Sequence, residues 1–325
     1  VVVFFVLSGY LVGGSVLKEL METGSIHLGR YSVSRIVRIH SVLVPALLLG
    51  CLWDILGTHW LHASAIYSQS HFPYVLSWDV GRNLNVPTLL GNVACLQTIF
   101  VPVFGSNGPL WSLANEFWYY FLFPAVLLVF WRGVPLAMRI MGLGATAFLL
   151  WLLGGDMLLG FLIWLAGVGV RVFPARLAPK WPLAGVIFLA TLLLIKSPLP
   201  GRFGFTALGD DVVALGFCVW LLSITHRPPS AGKVFSTLGK HCAGFSYTLY
   251  ACHFPLLVFL AALVTTRMGA DLPLSAAGIE TWAYYVSFIV TAILLCWVFS
   301  LVTEQQYHRL RYWLIQHLGW AKAAA

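Results

Sequence analysis

The sequence predicts an all-α, polytopic transmembrane bundle, and three observations predict it. Of its 325 residues, 60% are hydrophobic and only 9% charged, a balance typical of chains that live in a bilayer rather than in water. Nine apolar spans can be placed, at about 1–17, 36–57, 111–131, 136–153, 157–173, 182–197, 207–225, 243–264 and 282–303. With sides alternated from a cytoplasmic 18–35 loop, fifteen Lys and Arg fall inside. Four fall outside: Arg82, Lys196, Arg202 and Arg267. One span more or fewer would scramble that positive-inside bias, so it supports span count and orientation together. The expectation is a multi-pass protein of the cell (inner) membrane with a cytoplasmic C-terminus. The formal charge of +8 is scattered between spans and forms no basic tract, so the expected partner is the lipid bilayer and not nucleic acid.

The first span reads Phe4-Phe5-Val6-Leu7-Ser8-Gly9-Tyr10-Leu11. Gly9 and Gly13 make a small-xxx-small face suited to a close helix neighbour. Residue 1 is a Val already inside the apolar run, so a further helix upstream is expected. The Ser8-Gly9-Gly13 face could receive that helix.

The second span is entered through Arg35-Ile36-Val37-Arg38-Ile39-His40. Arg35 and Arg38 are three apart, so a helix presents both guanidinium groups on one side. That suits a phosphate or pyrophosphate, which Arg binds bidentately. It equally suits arginines that snorkel to lipid phosphates. Asp54 is a carboxylate near the outer end of the same span.

The segment 58–110 carries His59, His62, His71, Asp79 and Arg82, then the more apolar 86–104. Asn92, Gln97 and two prolines in that stretch predict a re-entrant or surface-lying segment, because a true crossing would invert every later loop. His59 and His62, three apart, have no acidic or Cys ligands nearby and read as surface residues. No metal is expected. The six cysteines (51, 95, 218, 242, 252 and 296) show no metal or redox spacing and read as small hydrophobes.

The third span opens Trp111-Ser112-Leu113-Ala114-Asn115-Glu116-Phe117-Trp118-Tyr119-Tyr120. Helical spacing puts Ser112, Glu116 and Tyr119/Tyr120 on one face. Glu116 is either an interfacial residue anchored by aromatic neighbours or an embedded carboxylate with a function. In the eighth span Ser246, Tyr250 and His253 fall at i, i+4 and i+7, a polar stripe on an apolar helix. His253 is either a hydrogen-bonded structural residue or a catalytic one. From 304 to 325 the chain turns basic and aromatic, predicting a cytoplasmic tail helix beside a 1–303 transmembrane domain.

Taken in order, these stretches resemble the integral-membrane acyltransferase family 3. Residues 4–11 resemble its FFVLSG signature, and Arg35-x-x-Arg38-Ile39 its RxxRI element. Trp111-Ser112-Leu113-x-x-Glu116 with Tyr119-Tyr120 resembles its WSLxxE…YY stretch. Ser246-Tyr247-Thr248-Leu249-Tyr250-x-x-His253-x-Pro255 resembles its SYxLYxxHxP stretch, and Glu304 the Glu that closes the family's last helix. Ser41 and Gln306 stand where the family often has Pro. The resemblance also implies a first helix upstream of residue 1, carrying an essential His and making ten helices.

The resemblance implies an O-acyltransferase that moves an acyl group, often acetyl, from an acyl-CoA-type donor to a hydroxyl of a carbohydrate or related acceptor. No cofactor is expected beyond acyl-CoA as co-substrate. Glu116 and His253 are the expected catalytic residues, either one a candidate general base tuned by burial. Ser8, Arg35, Arg38, Trp111, Ser112, Tyr119, Tyr247 and Tyr250 are expected around the substrates. The competing class is a transporter or proton or lipid pathway in which Asp54, Glu116 and His253 form a relay. An inactive, truncated acyltransferase is the third alternative.

Overall fold

A computed structural model describes residues 1–62, 64, 66, 67, 76–196, 209–226, 228, 233–268 and 278–318. Arg202, Arg227 and Lys322, three of the charges that orient the chain, and His71 lie outside the described residues. The described residues are helical, and the sole β feature among them is an isolated bridge between Gln97 and Val101. An apolar helix stands at each of the nine predicted spans. These are α1 (Val2–Thr23), α2 (Leu28–Trp60), α5 (Trp111–Phe130), α6 (Leu136–Leu152), α7 (Gly155–Val172), α8 (Trp181–Lys196), α9 (Gly209–His226), α11 (Ser246–Met268) and α12 (Ile279–Ser300). Two shorter helices, α3 (Val80–Asn83) and α4 (Val86–Val93), follow α2. An amphipathic α10 (Lys233–Ala243) precedes α11, and α13 (Tyr307–His317) ends the described chain.

The chain divides into two compact units, one of Val1–Leu28 with Asn115–Gly232, the other of Gly29–Ala114 with Lys233–Ala325. In the first unit the backbones of α1 and α7 touch. A Cβ on Gly9 would come 1.9 Å from the Trp164 carbonyl oxygen, and one on Gly167 would come 2.1 Å from that of Val6. The glycine face of α1 is therefore filled by α7, and is not the seat for an upstream helix that the sequence suggests. Between these contacts α1 widens into a π-helical turn over Gly9–Gly13, closed by the Gly14 N–H on the Gly9 carbonyl. Such turns are concentrated at functional sites. Val6, Val170, Phe217 and Leu221 form the adjoining core, and α8 joins α9 through Phe188 stacked on Trp220 at 5.6 Å.

In the second unit the segment after α2 decides between the two readings of 86–104. The Ser106 N–H donates to Asp54 Oδ2 at 2.7 Å, and His40 Nε2 lies 2.9 Å from the Val93 carbonyl. His40 and Asp54 are fourteen residues apart on α2, about 21 Å at 1.5 Å per residue. The segment thus runs down the side of α2 and back, as a re-entrant hairpin and not a surface-lying one. Buried amides hold it together. Asn92 Nδ2 donates to the Thr88 and Pro102 carbonyls while its Oδ1 accepts the Phe104 N–H, and Gln97 donates to the Leu110 carbonyl. Gly105, with φ +59°, is required at the Asp54 contact, since a Cβ there would sit 2.1 Å from Oδ2. Just past the C-terminal end of α2, Leu61, Ile66, Leu76, Val80, Val258 and Ala262 make a second apolar core.

Candidate active site

The first unit buries a carboxylate among neutral donors. Glu116, on the second turn of α5, is 4% exposed. Its Oε1 accepts the Ser8 hydroxyl at 2.5 Å and the hydroxyl of Tyr120, one turn further along α5. Ser8 Oγ in turn accepts the indole N–H of Trp164 at 3.1 Å. The Ser8 side chain stands where α1 meets α7, because Gly9 lets the Trp164 backbone approach so closely. Glu116 is therefore an embedded, hydrogen-bonded carboxylate and not an interfacial one. Burying it without donors would cost several kcal/mol; the Ser8 and Tyr120 hydroxyls offset that cost.

Two of the four residues in this cluster, Tyr120 and Trp164, are not among the expected site residues. Tyr120 is legible in part, since it stands at i+4 from Glu116. Trp164 carries no signal in the sequence, because an indole within an apolar span looks like core. Tyr119, the expected neighbour, turns away: its hydroxyl donates to the Met157 carbonyl at 2.5 Å, through space left open by Gly160. Its ring packs edge-on against Phe5 and beside Phe161.

The other expected residues belong to the second unit. Arg38 Nη2 pairs with Glu304 Oε1 at 3.1 Å, with the guanidinium 5.6 Å from the centroid of the Tyr247 ring and 5.4 Å from that of Tyr307. Glu304, 5% exposed, accepts the Thr248 N–H and hydroxyl through its other oxygen. Arg35 lies one turn away with its guanidinium 5.4 Å from the Tyr31 ring centroid. Arg38 is thus also paired with a carboxylate 266 positions away in the chain.

Ser112 and Tyr250 are brought together, their hydroxyls 2.5 Å apart, and the Tyr250 hydroxyl also donates to the Pro109 carbonyl at 2.6 Å. Trp111 is exposed, and Ser246 Oγ returns to the Ala243 carbonyl of the turn before it. His253 Nδ1 lies 3.0 and 2.9 Å from the Leu249 and Tyr250 carbonyls. Those acceptors assign the proton to Nδ1 and leave Nε2 as the basic nitrogen of the neutral ring. The three residues of the predicted Ser246–Tyr250–His253 stripe thus bond to separate partners.

A polytopic helical membrane protein with a buried carboxylate held by hydroxyl and indole donors is the class that fold and cluster define. The sequence profile of an acyltransferase domain matches residues 1–301, and the chain belongs to acyltransferase family 3. It is 25% identical over 291 residues to the peptidoglycan O-acetyltransferase OatA of Listeria monocytogenes, an alignment covering 78% of this chain and 44% of that protein. The chain thus spans less than half the length of that relative. No solved structure is a significant match.

Proposed function

We propose that this chain is the membrane-embedded part of an O-acyltransferase that carries an acyl group, acetyl by analogy with the relative, from an acyl-CoA-type donor to a hydroxyl of a cell-wall polysaccharide or similar carbohydrate. The observation that carries this reading is the Ser8–Glu116–Tyr120–Trp164 cluster, read within the acyltransferase family. Acyl transfer from a thioester needs a base for the attacking hydroxyl and donors to steady the charges that develop. In the proposed reaction the hydroxyl oxygen attacks the thioester carbonyl and its proton passes to the base. The carbon–sulfur bond then breaks, and the thiolate leaves with a proton. Glu116, surrounded by neutral donors, is the proposed base. His253, whose Nδ1 faces two backbone carbonyls, offers Nε2 as the base available in the second unit. The half of the relative that this chain does not cover leaves the route to the final acceptor as part of the proposal.

Cell-wall material from cells with and without the gene tests the reading, by mass spectrometry for ester-linked acyl groups. Loss of an acetyl mass in the deletion, restored by the wild-type gene and not by Glu116→Gln at equal membrane abundance, is the expected result. Equal acylation in all three strains would sink it.

A further inference from the structure

The first unit also holds a cavity of about 420 Å³ that the cluster above does not use. It is lined by Tyr10, Ser15, Lys18, Glu19, Glu22 and Arg171. We propose that this cavity binds a phosphate ester, namely the phosphates of the acyl donor. The inference rests on the acyl-CoA reading above and locates its recognition site away from Arg35 and Arg38.

Arg171 is built into place. A Cβ on Gly14 would lie 3.0 Å from Arg171 Cγ, so this glycine lets the arginine stem lie flat on α1. Arg171 Nη1 then donates to the Tyr10 hydroxyl at 3.1 Å. That uses one of five N–H donors on a group whose planar fork matches a phosphate. Lys18 adds a second cation. Its partner Glu22 is 3.6 Å away, with side chains 55% and 62% exposed, an ion pair held weakly enough to give way to a phosphate. Glu19 lies 3.4 Å from His27 Nδ1, so each of the two lining carboxylates has a partner within the same unit.

Position supports the same ligand. Tyr10 is two residues from Ser8 on α1, and Lys18 is ten residues from it, about 15 Å along the helix. A donor with its phosphates at Arg171 and Lys18 and an extended arm along α1 would present its thioester near Ser8 and Glu116. The π-helical turn at Gly9–Gly13 lies between Ser8 and Lys18 on α1.

The test is calorimetric titration of unacylated coenzyme A into the purified protein in phosphatidylcholine nanodiscs. Arg171→Ala and Lys18→Ala are each expected to weaken binding at least about tenfold, with Arg171→Lys recovering part of the loss. Lys18 is on the surface, so its variant answers the question even if Arg171→Ala fails to fold. Wild-type binding that persists unchanged in the folded variants would overturn this site and leave the acyl-CoA reading standing. No binding and no transfer by the wild type would remove the acyl-CoA reading and this site with it. Loss of phosphatidylglycerol binding in the variants with coenzyme A affinity intact, seen by native mass spectrometry, would assign the phosphate to a lipid and overturn the donor assignment.

Discussion

Glu116 and Glu304 are the same residue type, buried to the same extent, and their surroundings differ in kind. Glu304 is fixed by a cation, a backbone N–H and a hydroxyl. It ties the start of α11 to α2 and to the turn before α13, and its charge is balanced where it stands. Glu116 receives two neutral hydroxyl donors through Oε1, one of them backed by an indole. A carboxylate held by neutral donors can accept a proton without leaving a cation unpaired, whereas protonating Glu304 would strand Arg38. The two carboxylates thus differ in their donors and not in their burial, and that contrast is why Glu116 is the proposed base.

The contrast is broken most directly by the matched substitutions Glu116→Gln and Glu304→Gln. Glu116→Gln should lower acyl transfer at least about 100-fold, or about 2.7 kcal/mol of transition-state stabilisation. Its unfolding temperature in detergent should stay near that of the wild type. Full transfer by Glu116→Gln would leave Glu116 a structural carboxylate like Glu304.

Glu304→Gln should do the reverse. Removing one partner of a fully buried pair costs about 3–5 kcal/mol. Arg38 has 38% of its side chain exposed, so solvent screening reduces the expected loss to about 1–2 kcal/mol. The unfolding temperature should fall while transfer per folded molecule is retained. A normal unfolding temperature with lost transfer would make Glu304 and Arg38 part of the chemistry.

A smaller effect sharpens the first half of the comparison. Trp164→Phe keeps most of the ring packing and deletes one N–H donor, so about 1 kcal/mol is at stake. Transfer should fall roughly fivefold. Combined with Ser8→Ala the two losses should be less than additive, because the indole acts through the Ser8 oxygen. Strict additivity in the double variant would separate Trp164 from the Glu116 cluster.

The smallest effect concerns the unit that holds Glu304. Cys95 is fully buried beside the hairpin tip, which shields its thiol from a polar reagent. A maleimide should label the exposed Cys242 and spare Cys95. His40→Ala removes the contact to Val93 at the tip, and Cys95 labelling should then rise. Rapid labelling of Cys95 in the wild type would show that the hairpin opens without any substitution.

The sequence by itself determined the class, the order of the apolar helices and the family, because bilayer burial imposes long apolar runs; of the nine helices it places, seven are long and apolar enough within the described residues to cross a bilayer. Glycine spacing also announces the close approach of α1, though not its partner. The face of Ser8, Gly9 and Gly13 could have met any helix, and only the fold assigned it to Trp164 and Val168 of α7. The motif residues are legible as types, yet their grouping is not. Helical spacing groups Arg38 with Arg35, and the fold binds it to Glu304 instead. The same spacing groups Ser112 with Glu116, and the fold pairs it with Tyr250. Of the Tyr119/Tyr120 pair that spacing puts on the Glu116 face, Tyr120 bonds the carboxylate and Tyr119 the Met157 carbonyl, while Trp164 joins through Ser8. Helical periodicity reports which side chains share a face of one helix. What lies opposite that face depends on how helices far apart in the chain cross, and in an apolar bundle almost every partner looks alike until the backbones are placed.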